Sequence, residues 1–443
     1  MGDGSDPASS PGRGAPRPGA QDPPAPSQPG SAAAPPTLEP TAGREREPIL
    51  DLLRGFALLG ILLINVELMR GPGLYRLFLG EAAEPGTTLD RVVIFASGWL
   101  AGGKFVSSFA LLFGVGAAFL VARAERLGHP PGALLARRYA LLAVFGLAHM
   151  VLLFPGDILF VYAVAGFLLL PFVARPPRLA ARWAAGILAA LGGASALFGV
   201  VTLMTGSEPE AQGAVTGSGL FGDRRDAALA AYTDGTLSDV FAAQAFEALV
   251  VQAGQLMFVP WVLAMFLVGW AIARAGVVTD LAGHRARLRR ATVIGLGLGL
   301  PLNLPAGLAG PAGTDATTGS ELQVAVAGSF ETFVQFVGAP VLAIGYLAGI
   351  ALLALRIGTW WPLAAVGRMA LTAYLLQSVV AQVVFVGFDR YGQVSPSEAL
   401  IFVGATWALL LIVCPLWLSR FRFGPVEWLW RAWTYRQRPP LRH

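Results

Sequence analysis

Ten apolar segments, each close to twenty residues long, follow one another between residues 50 and 418. About twenty apolar residues are needed for a helix to cross the hydrocarbon core of a bilayer. A backbone inside lipid must also satisfy its own hydrogen bonds. The segments therefore predict an all-α, polytopic helical bundle in a membrane. We expect spans near 50–69, 103–122, 134–154, 157–174, 183–205, 256–273, 291–309, 332–355, 363–387 and 399–418, with 91–101 and 239–255 either spanning or lying at the interface.

The composition divides the chain into three regions. Residues 1–48 are rich in Pro, Gly and Ala and hold twelve of the 32 prolines, which predicts a disordered cytoplasmic tail. Residues 49–419 form the transmembrane bundle, with a long acidic external loop at 206–240. Residues 420–443 alternate basic and aromatic side chains, as is typical of a cytoplasmic interfacial helix on anionic lipid.

The positive charges are distributed unevenly between the predicted loops. With the N-terminus inside, 24 of the 32 cations fall on the cytoplasmic side, six fall outside, and Arg54 and Lys104 lie within spans. Cytoplasmic loops of membrane proteins carry an excess of Arg and Lys. The sequence therefore predicts a multi-pass protein of the bacterial plasma membrane with both termini in the cytoplasm.

The same composition limits the partners. The cations occur in short clusters between apolar segments, without the basic face of a nucleic-acid-binding domain, so no nucleic acid is expected. The single cysteine, Cys414, excludes a disulfide framework and a thiolate metal site, and we expect neither a metal nor a bound cofactor. The expected partners are the lipid bilayer and a small-molecule or envelope-component substrate. The sequence leaves a homo-oligomer open.

Charged residues near the predicted cytoplasmic ends are candidates for substrate binding. Asp51 and Arg54 are three positions apart, a spacing that places them on one helix face. A recessed arginine suits a phosphate group, whereas a capping ion pair is the structural interpretation. Arg368 is either a second anionic contact or an ordinary positive-inside arginine. The candidate substrate-binding set is Asp51, Arg54, Arg368 and Gln377.

His149 and Asp157 are the two groups that titrate near neutral pH between residues 139 and 173. Pro155-Gly156 separates their helices, so the hairpin predicts that both lie at its external end. A carboxylate beside an imidazole fixes the tautomer of the ring and supports general-base catalysis. The alternative is a structural histidine beside an aspartate that only caps the next helix.

Lys104 and Asn65 are expected at a depth similar to that of His149. Lys104 is the one lysine among the 32 cations. Retention of this compact, deprotonatable amine near membrane depth suggests a reactive site, whereas snorkelling to the headgroups is the alternative. Asn65 either stabilises a developing negative charge or forms an interhelical hydrogen bond. The candidate catalytic set is His149, Asp157, Lys104 and Asn65.

Several separate motifs carry a family resemblance. The segments are LDLLRGFALLGILLINV, GGKFVSSFALLFGVG, GLAHMVLLFPGDILFVYAVAG, GRMALTAYLLQS and FRFGPVEWLWRAWTY. In this order they resemble the bacterial membrane protein family typified by YeiB, a family of unknown function. The resemblance extends from about residue 46 to residue 436.

That family is distantly similar to transmembrane acyltransferases, including heparan-glucosaminide N-acetyltransferase and the acyltransferase-3 O-acylases. The shared element is an Arg-Gly pair early in the first span, here Arg54-Gly55. Asn65, eleven positions after Arg54, corresponds to the asparagine of the N-acetyltransferase. The catalytic histidine of that enzyme corresponds to Arg76 here, so an acyltransferase reaction would require His149 as the base.

Two functions of different classes remain open. One is an integral-membrane acyltransferase that moves an acyl group from cytoplasmic acyl-CoA to an external hydroxyl or amine, with Lys104 or Asn65 stabilising the oxyanion. The other is a transporter or flippase for a small molecule or lipid precursor, with His149 and Asp157 as a proton relay. A membrane scaffold is a third interpretation.

Overall fold

The computed structural model describes residues 1, 47–73, 75, 86–205, 218–308 and 332–442, without the side chains of residues 218–222. Every helix considered below belongs to the compact unit Thr37–His443. The predicted tail at 2–46, the start of the predicted external loop at 206–217 and Arg76 lie outside the described residues.

The described residues form fifteen α-helices and no strand. Short 3-10 turns follow α5 and α8, and π-helical turns at Val334–Gly338 and Gln382–Gly387 precede α11 and follow α13. The helices are α1 (Pro48–Met69), α2 (Thr88–Leu100), α3 (Lys104–Arg126), α4 (Pro131–Leu152), α5 (Leu159–Leu169), α6 (Pro177–Thr205), α7 (Ser218–Thr233), α8 (Leu237–Gln255), α9 (Val259–Arg274), α10 (Arg285–Leu308), α11 (Ala339–Ile357), α12 (Trp361–Arg368), α13 (Ala370–Ala381), α14 (Pro396–Leu418) and α15 (Pro425–Tyr435).

Nine helical stretches in the described part of the chain are long and apolar enough to cross a membrane. The fourth predicted span, 157–174, corresponds to a shorter apolar helix, Leu159–Phe172. The predicted interfacial segments become α2 and α8, and each continues with little interruption into the next helix to give Thr88–Arg126 and Leu237–Arg274. The predicted polytopic helical bundle is confirmed.

Two predicted elements differ in detail. The loop predicted at 206–240 contains α7 and the start of α8, because the sequence between its acidic residues is rich in alanine, a strong helix former. The span predicted at 363–387 is broken at Met369, which separates α12 from α13. The amides that begin α13 are thereby freed for other acceptors.

The interior of the bundle is centred on α9. This helix packs against α3, α5 and α6, and Trp261, Phe266 and Trp270 are almost completely buried. α3 and α9 approach closely because glycines face the crossing: a Cβ at Gly269 would lie 1.9 Å from the Leu111 carbonyl oxygen. Small residues allow such backbone contact between membrane helices.

A second glycine crossing joins α1 to α12. A Cβ at Gly55 would lie 2.1 Å from the Leu363 carbonyl oxygen, and one at Gly367 would lie 1.8 Å from that of Asp51. The two backbones are therefore in direct contact. Arg54 and Arg368, each adjacent to one of these glycines, are consequently brought to the same end of the bundle.

Candidate functional site

A cavity of about 640 Å³ lies within the bundle, at the end where α1 begins and where α3 and α9 end. Its volume is typical of a site for a small molecule or cofactor. The walls come from α1, α3, α4, α12, α13 and α15, so residues from both halves of the chain line one space. We call it the inner cavity.

The mouth of the inner cavity is strongly cationic. Three carboxyl groups, from Glu47, Asp51 and Glu427, face seven arginines. Asp51 pairs with Arg54 at 2.7 Å, the contact that their three-residue spacing predicts. The remaining positive charge is suited to a phosphate-bearing ligand, since guanidinium groups bind phosphate oxygens in a bidentate manner. The arginines are Arg54, Arg123, Arg126, Arg138, Arg274, Arg368 and Arg431.

The C-terminal helix α15 forms one wall of this mouth. The guanidinium of Arg138 lies 3.6 Å from the ring centroid of Trp430, and the indole of Trp430 donates to the Arg138 carbonyl oxygen at 2.8 Å. Leu429 and Trp433 on the same helix are about half exposed. α15 therefore docks on the protein with one face and keeps an apolar face free for the predicted contact with lipid.

Glu427 attaches α15 to the break before α13. Its Oε1 accepts from the amides of Leu371 at 2.7 Å and Thr372 at 2.9 Å, two of the donors that a helix start leaves unpaired. Burial raises the pKa of Glu427 despite these bonds. The carboxyl group thus supplies from a distant helix the cap that α13 lacks locally.

The deep end of the inner cavity is apolar and aromatic. Leu58, Phe109, Leu142 and Tyr162 line it, and it reaches Ile158, the residue after Asp157. Tyr374 of α13 also lies on the lining. A ligand with a charged head and an apolar chain would therefore match both ends of the cavity.

Next to Tyr374, three buried side chains form a hydrogen-bonded series. His149 Nδ1 is 2.8 Å from Asp157 Oδ1, and His149 Nε2 is 2.9 Å from the hydroxyl oxygen of Ser378. The three residues are at most 2% exposed. A carboxylate only accepts hydrogen bonds, so in a neutral imidazole Nδ1 carries the proton and Nε2 accepts one from the serine hydroxyl.

The α4–α5 hairpin positions the first pair. Asp157 Oδ2 accepts from the Phe160 amide at 2.9 Å, so this residue both caps α5 and orients His149. α5 can approach α4 because Gly146 has no side chain: a Cβ there would lie 2.5 Å from the Phe160 nitrogen. Gln252 of α8 donates to the Asp157 carbonyl oxygen at 2.8 Å and holds the turn from outside.

Further buried polar groups surround this series. The ring of Tyr374 lies 4.9 Å from that of His149, and its buried hydroxyl lies beside Asn65 and the Ile158 backbone. That hydroxyl is within hydrogen-bond reach of both, whereas the side-chain amide of buried Gln377 has no hydrogen-bond partner among the described residues. A buried amide is costly to leave unpaired, and the Gln377 side chain lines neither cavity.

A second, smaller space lies on the opposite side of the series. It measures about 30 Å³, enough for one or two water molecules. Gly156 of the hairpin turn, Glu247 of α8 and Gln382 after α13 contribute to its lining. We call it the outer cavity. His149, Asp157 and Ser378 line neither cavity, but their sequence neighbours line both, so the series lies in the layer between the two spaces.

Lys104 is placed differently from the expectation. Its ammonium donates to the Gly98 carbonyl oxygen at 2.8 Å, and the side chain is 1% exposed, so it does not reach towards a headgroup. It is absent from the lining of both cavities. The Lys104 side chain turns back onto the α2–α3 junction, and no hydrogen bond joins it to His149 among the described residues, so its predicted catalytic role stays a prediction.

Sequence reasoning missed Ser378 and the cavity-lining role of α15. Ser378 is 229 residues from His149, and helices far apart in the chain leave no local signature of their contact. One signal was available: Ser378 lies four positions after Tyr374 in GRMALTAYLLQS, so the two side chains share one face of the helix. Gln377, a predicted binding residue, is adjacent to Ser378 but does not line the inner cavity.

The fold and this polar centre define a multi-pass helical membrane protein with a buried Ser-His-Asp series. The chain belongs to the family described as "Protein of unknown function (DUF418)", whose family model matches residues 272–437. It is 30% identical to the uncharacterized protein YxaH of Bacillus subtilis (strain 168), over 91% of this chain and 98% of that protein. It is also 30% identical to the uncharacterized protein YeiB of Escherichia coli (strain K12), over 89% and 98%. No solved structure matches the chain.

Proposed function

We propose that the protein is an integral-membrane acyltransferase of the bacterial plasma membrane. It would take an acyl group from acyl-CoA on the predicted cytoplasmic side and deliver it to a hydroxyl or amine on the other side. The single observation that carries the proposal is the extent of the inner cavity, whose lining runs from seven arginines at its mouth to Ile158, the residue after Asp157, and Tyr374, whose ring lies beside that of His149.

The chemistry of the donor matches this cavity at both ends. The phosphate groups of CoA would bind at the mouth between Arg54 and Arg368, and the pantetheine arm and acyl chain would extend along the apolar wall. The thioester would then lie near Tyr374, beside His149. A neutral imidazole whose Nδ1–H is held by Asp157 is able to accept a proton at Nε2.

Binding is the first test. Purified protein in lipid nanodiscs is titrated with palmitoyl-CoA and acetyl-CoA by isothermal calorimetry. Loss of a charge-assisted hydrogen bond costs about 1.5–3 kcal/mol, so Arg54→Ala and Arg368→Ala should each raise the Kd roughly 10- to 100-fold. Arg287→Ala, an exposed arginine of α10 outside the cavity lining, is the matched control and should leave the Kd unchanged.

Release of the CoA thiol is the second test, with membrane extract as the source of acceptor. His149→Gln should bind both acyl-CoAs normally but lose thiol release by roughly 10²–10⁴-fold. A wild-type protein that neither binds acyl-CoA nor releases thiol would refute the acyltransferase.

A transporter or flippase is the second candidate. It is favoured by the two cavities on either side of a buried His149–Asp157 pair, because charged residues inside a membrane often form proton relays. Transport would move an intact phosphate-bearing substrate without covalent change. Uptake of an anionic lipid or nucleotide into proteoliposomes under a pH gradient, without thiol release, would favour this function over acyl transfer.

A further inference from the structure

Ser378 is bonded unlike other buried serines of the bundle. The hydroxyls of Ser107 and Ser195 donate to carbonyl oxygens one turn earlier in their own helices, at 2.7 and 2.9 Å. The Ser378 hydroxyl instead lies 2.9 Å from His149 Nε2 on another helix. An imidazole in this position is a base for the serine oxygen, and Asp157 holds the ring in the required tautomer.

We propose that Ser378 is a nucleophile and carries the acyl group as a covalent serine ester between donor and acceptor. This inference rests on the proposed function, and it adds the residue and the order of steps. The nucleophile, base and orienting carboxylate come from α13, α4 and the turn before α5. Such a series is recognised by its geometry and not by the order of its residues in the chain.

The position of Ser378 between the two cavities explains the use of a covalent intermediate. Tyr374, one turn before it, lines the inner cavity, and Gln382, one turn after it, lines the outer cavity. A donor in the inner cavity and an acceptor hydroxyl or amine that reaches into the outer cavity, which has room only for a group of that size, would be separated by the packed layer that contains His149. An ester on Ser378 lets the two substrates react in succession without meeting.

The transfer balances in two half-reactions. Ser378 Oγ attacks the thioester carbonyl carbon while His149 Nε2 takes the hydroxyl proton. The C–S bond breaks, and the CoA sulfur leaves with that proton as a thiol. The acceptor hydroxyl or amine then attacks the ester carbon and gives its proton to His149. The C–Oγ bond breaks, and Ser378 Oγ recovers the proton.

Two side-chain donors lie near Ser378 and could stabilise the negative charge that develops on the carbonyl oxygen. The Gln377 amide is adjacent to Ser378 in sequence and is buried without a partner in the described part of the chain. The Tyr374 hydroxyl lies one turn before Ser378, beside Asn65 and the Ile158 backbone, and its O–H can act as a donor. Hydrogen-bond donors placed at a developing oxyanion lower the barrier of acyl transfer. In this proposal these groups take the role that the sequence suggested for Lys104 or Asn65, and Asn65 lies beside the Tyr374 hydroxyl.

The test is a search for the acyl-serine. Purified protein is mixed with acetyl-CoA or palmitoyl-CoA in the absence of acceptor, quenched with acid and digested, and the peptide that contains Ser378 is weighed by mass spectrometry. We expect the acyl mass on Ser378 in the wild type and none in Ser378→Ala. His149→Gln should form it roughly 10²–10⁴-fold more slowly, and Ser195→Ala is the matched control that should label normally.

Ser378→Cys distinguishes loss of the nucleophile from loss of folding, because it keeps a nucleophilic side chain of similar size. It should form a thioester that neutral hydroxylamine cleaves, and its melting temperature should match that of the wild type. Thiol release by the wild type without any adduct on Ser378 would overturn the inference and leave the proposed acyltransferase standing.

Failure of the proposed function has a different signature. If the wild type neither binds acyl-CoA nor releases thiol, a fluorophosphonate probe still tests Ser378, because it reacts with activated serines without a CoA group. Labelling of Ser378 that disappears in His149→Gln would support the nucleophile with another donor. No labelling of Ser378 would overturn it.

Discussion

At the scale of single residues, the proton on His149 is placed by its two neighbours. Asp157 accepts from Nδ1, and this leaves Nε2 free to accept from Ser378. Asp157 also accepts from the Phe160 amide. The predicted capping role and the predicted orienting role are therefore compatible, because each uses a different carboxylate oxygen.

Asp157→Asn separates these two roles. An asparagine still offers an oxygen to the Phe160 amide, so α5 should keep its cap and the Tm should change little. It cannot hold the Nδ1–H tautomer as a carboxylate does, so thiol release should fall by roughly 10³–10⁴-fold. Asp157→Ala should lower the Tm as well, by the loss of a cap worth about 1 kcal/mol. A near wild-type rate for Asp157→Asn would contradict the tautomer assignment.

At the scale of helices, backbone contact places the functional groups. Gly146 brings α5 against α4, so that Asp157 meets His149. Gly55 and Gly367 bring α12 against α1, so that Arg54 and Arg368 share the mouth. A Cβ at any of these three glycines would lie within 2.5 Å of a backbone atom of the facing helix, so the two helices would have to move apart.

Gly146→Ala tests the first of these contacts. The new Cβ would lie 2.9 Å from Asp157 Oδ2 and 2.5 Å from the Phe160 nitrogen. The helices must move apart, and overpacking of this kind costs about 1–3 kcal/mol. We expect a lower Tm in detergent together with lost thiol release. Gly186→Ala on α6, where an added Cβ meets no atom within 4 Å, is the control and should not lower the Tm, since alanine favours helix.

The docking of α15 should depend on pH through Glu427. Burial raises the pKa of this carboxyl group above its ordinary value of 4.5, so the docked helix holds a proton more readily than the undocked one. Its contribution to stability is then full below pH 4.5 and is lost as the pH rises through the raised pKa. Thermal melts across that range should show this fall, and Glu427→Gln should flatten it. If the Tm of Glu427→Gln fell with pH as steeply as that of the wild type, a group other than Glu427 would be responsible for the fall.

At the scale of the whole molecule, both halves of the chain build one site. α1, α3 and α4 come from the first half, and α12, α13 and α15 come from the second. The mouth of the inner cavity lies at the end where the positive-inside rule predicts the cytoplasm. The orientation of the bundle therefore decides which compartment supplies the phosphate-bearing ligand.

Cysteine labelling measures that orientation. In a Cys414→Ala background, Asp234→Cys at the end opposite the arginine mouth should react with a membrane-impermeant maleimide in intact cells. Arg287→Cys should react only after permeabilisation. Both positions are exposed, so the side of the membrane on which each residue lies decides whether it reacts, and burial does not. Reaction of both from the same side would refute the predicted topology.

The parts of this structure that the sequence predicted are local. The Asp51–Arg54 pair follows from a spacing of three residues, and the His149–Asp157 pair from a broken hairpin of eight. Ser378 and Glu427 escaped prediction because their partners lie 229 and 55 or 56 residues away. Hydrophobic periodicity identifies helices but not which helices touch. The contact of Lys104 with Gly98 was not predicted either, because the predicted depth of a residue does not reveal the direction of its side chain.

The two sides of the cavity mouth are held by different kinds of contact. On the α1–α12 side, backbone touches backbone at Gly55 and Gly367, and no rotamer change can widen that contact. On the α15 side, the wall is held by side chains: the contacts of Trp430 with Arg138, two hydrogen bonds of Arg137 with Trp433 and Thr434, and the carboxyl group of Glu427. Side-chain contacts can break one at a time, so we expect a ligand too wide for the mouth to displace α15 and not the α1–α12 contact.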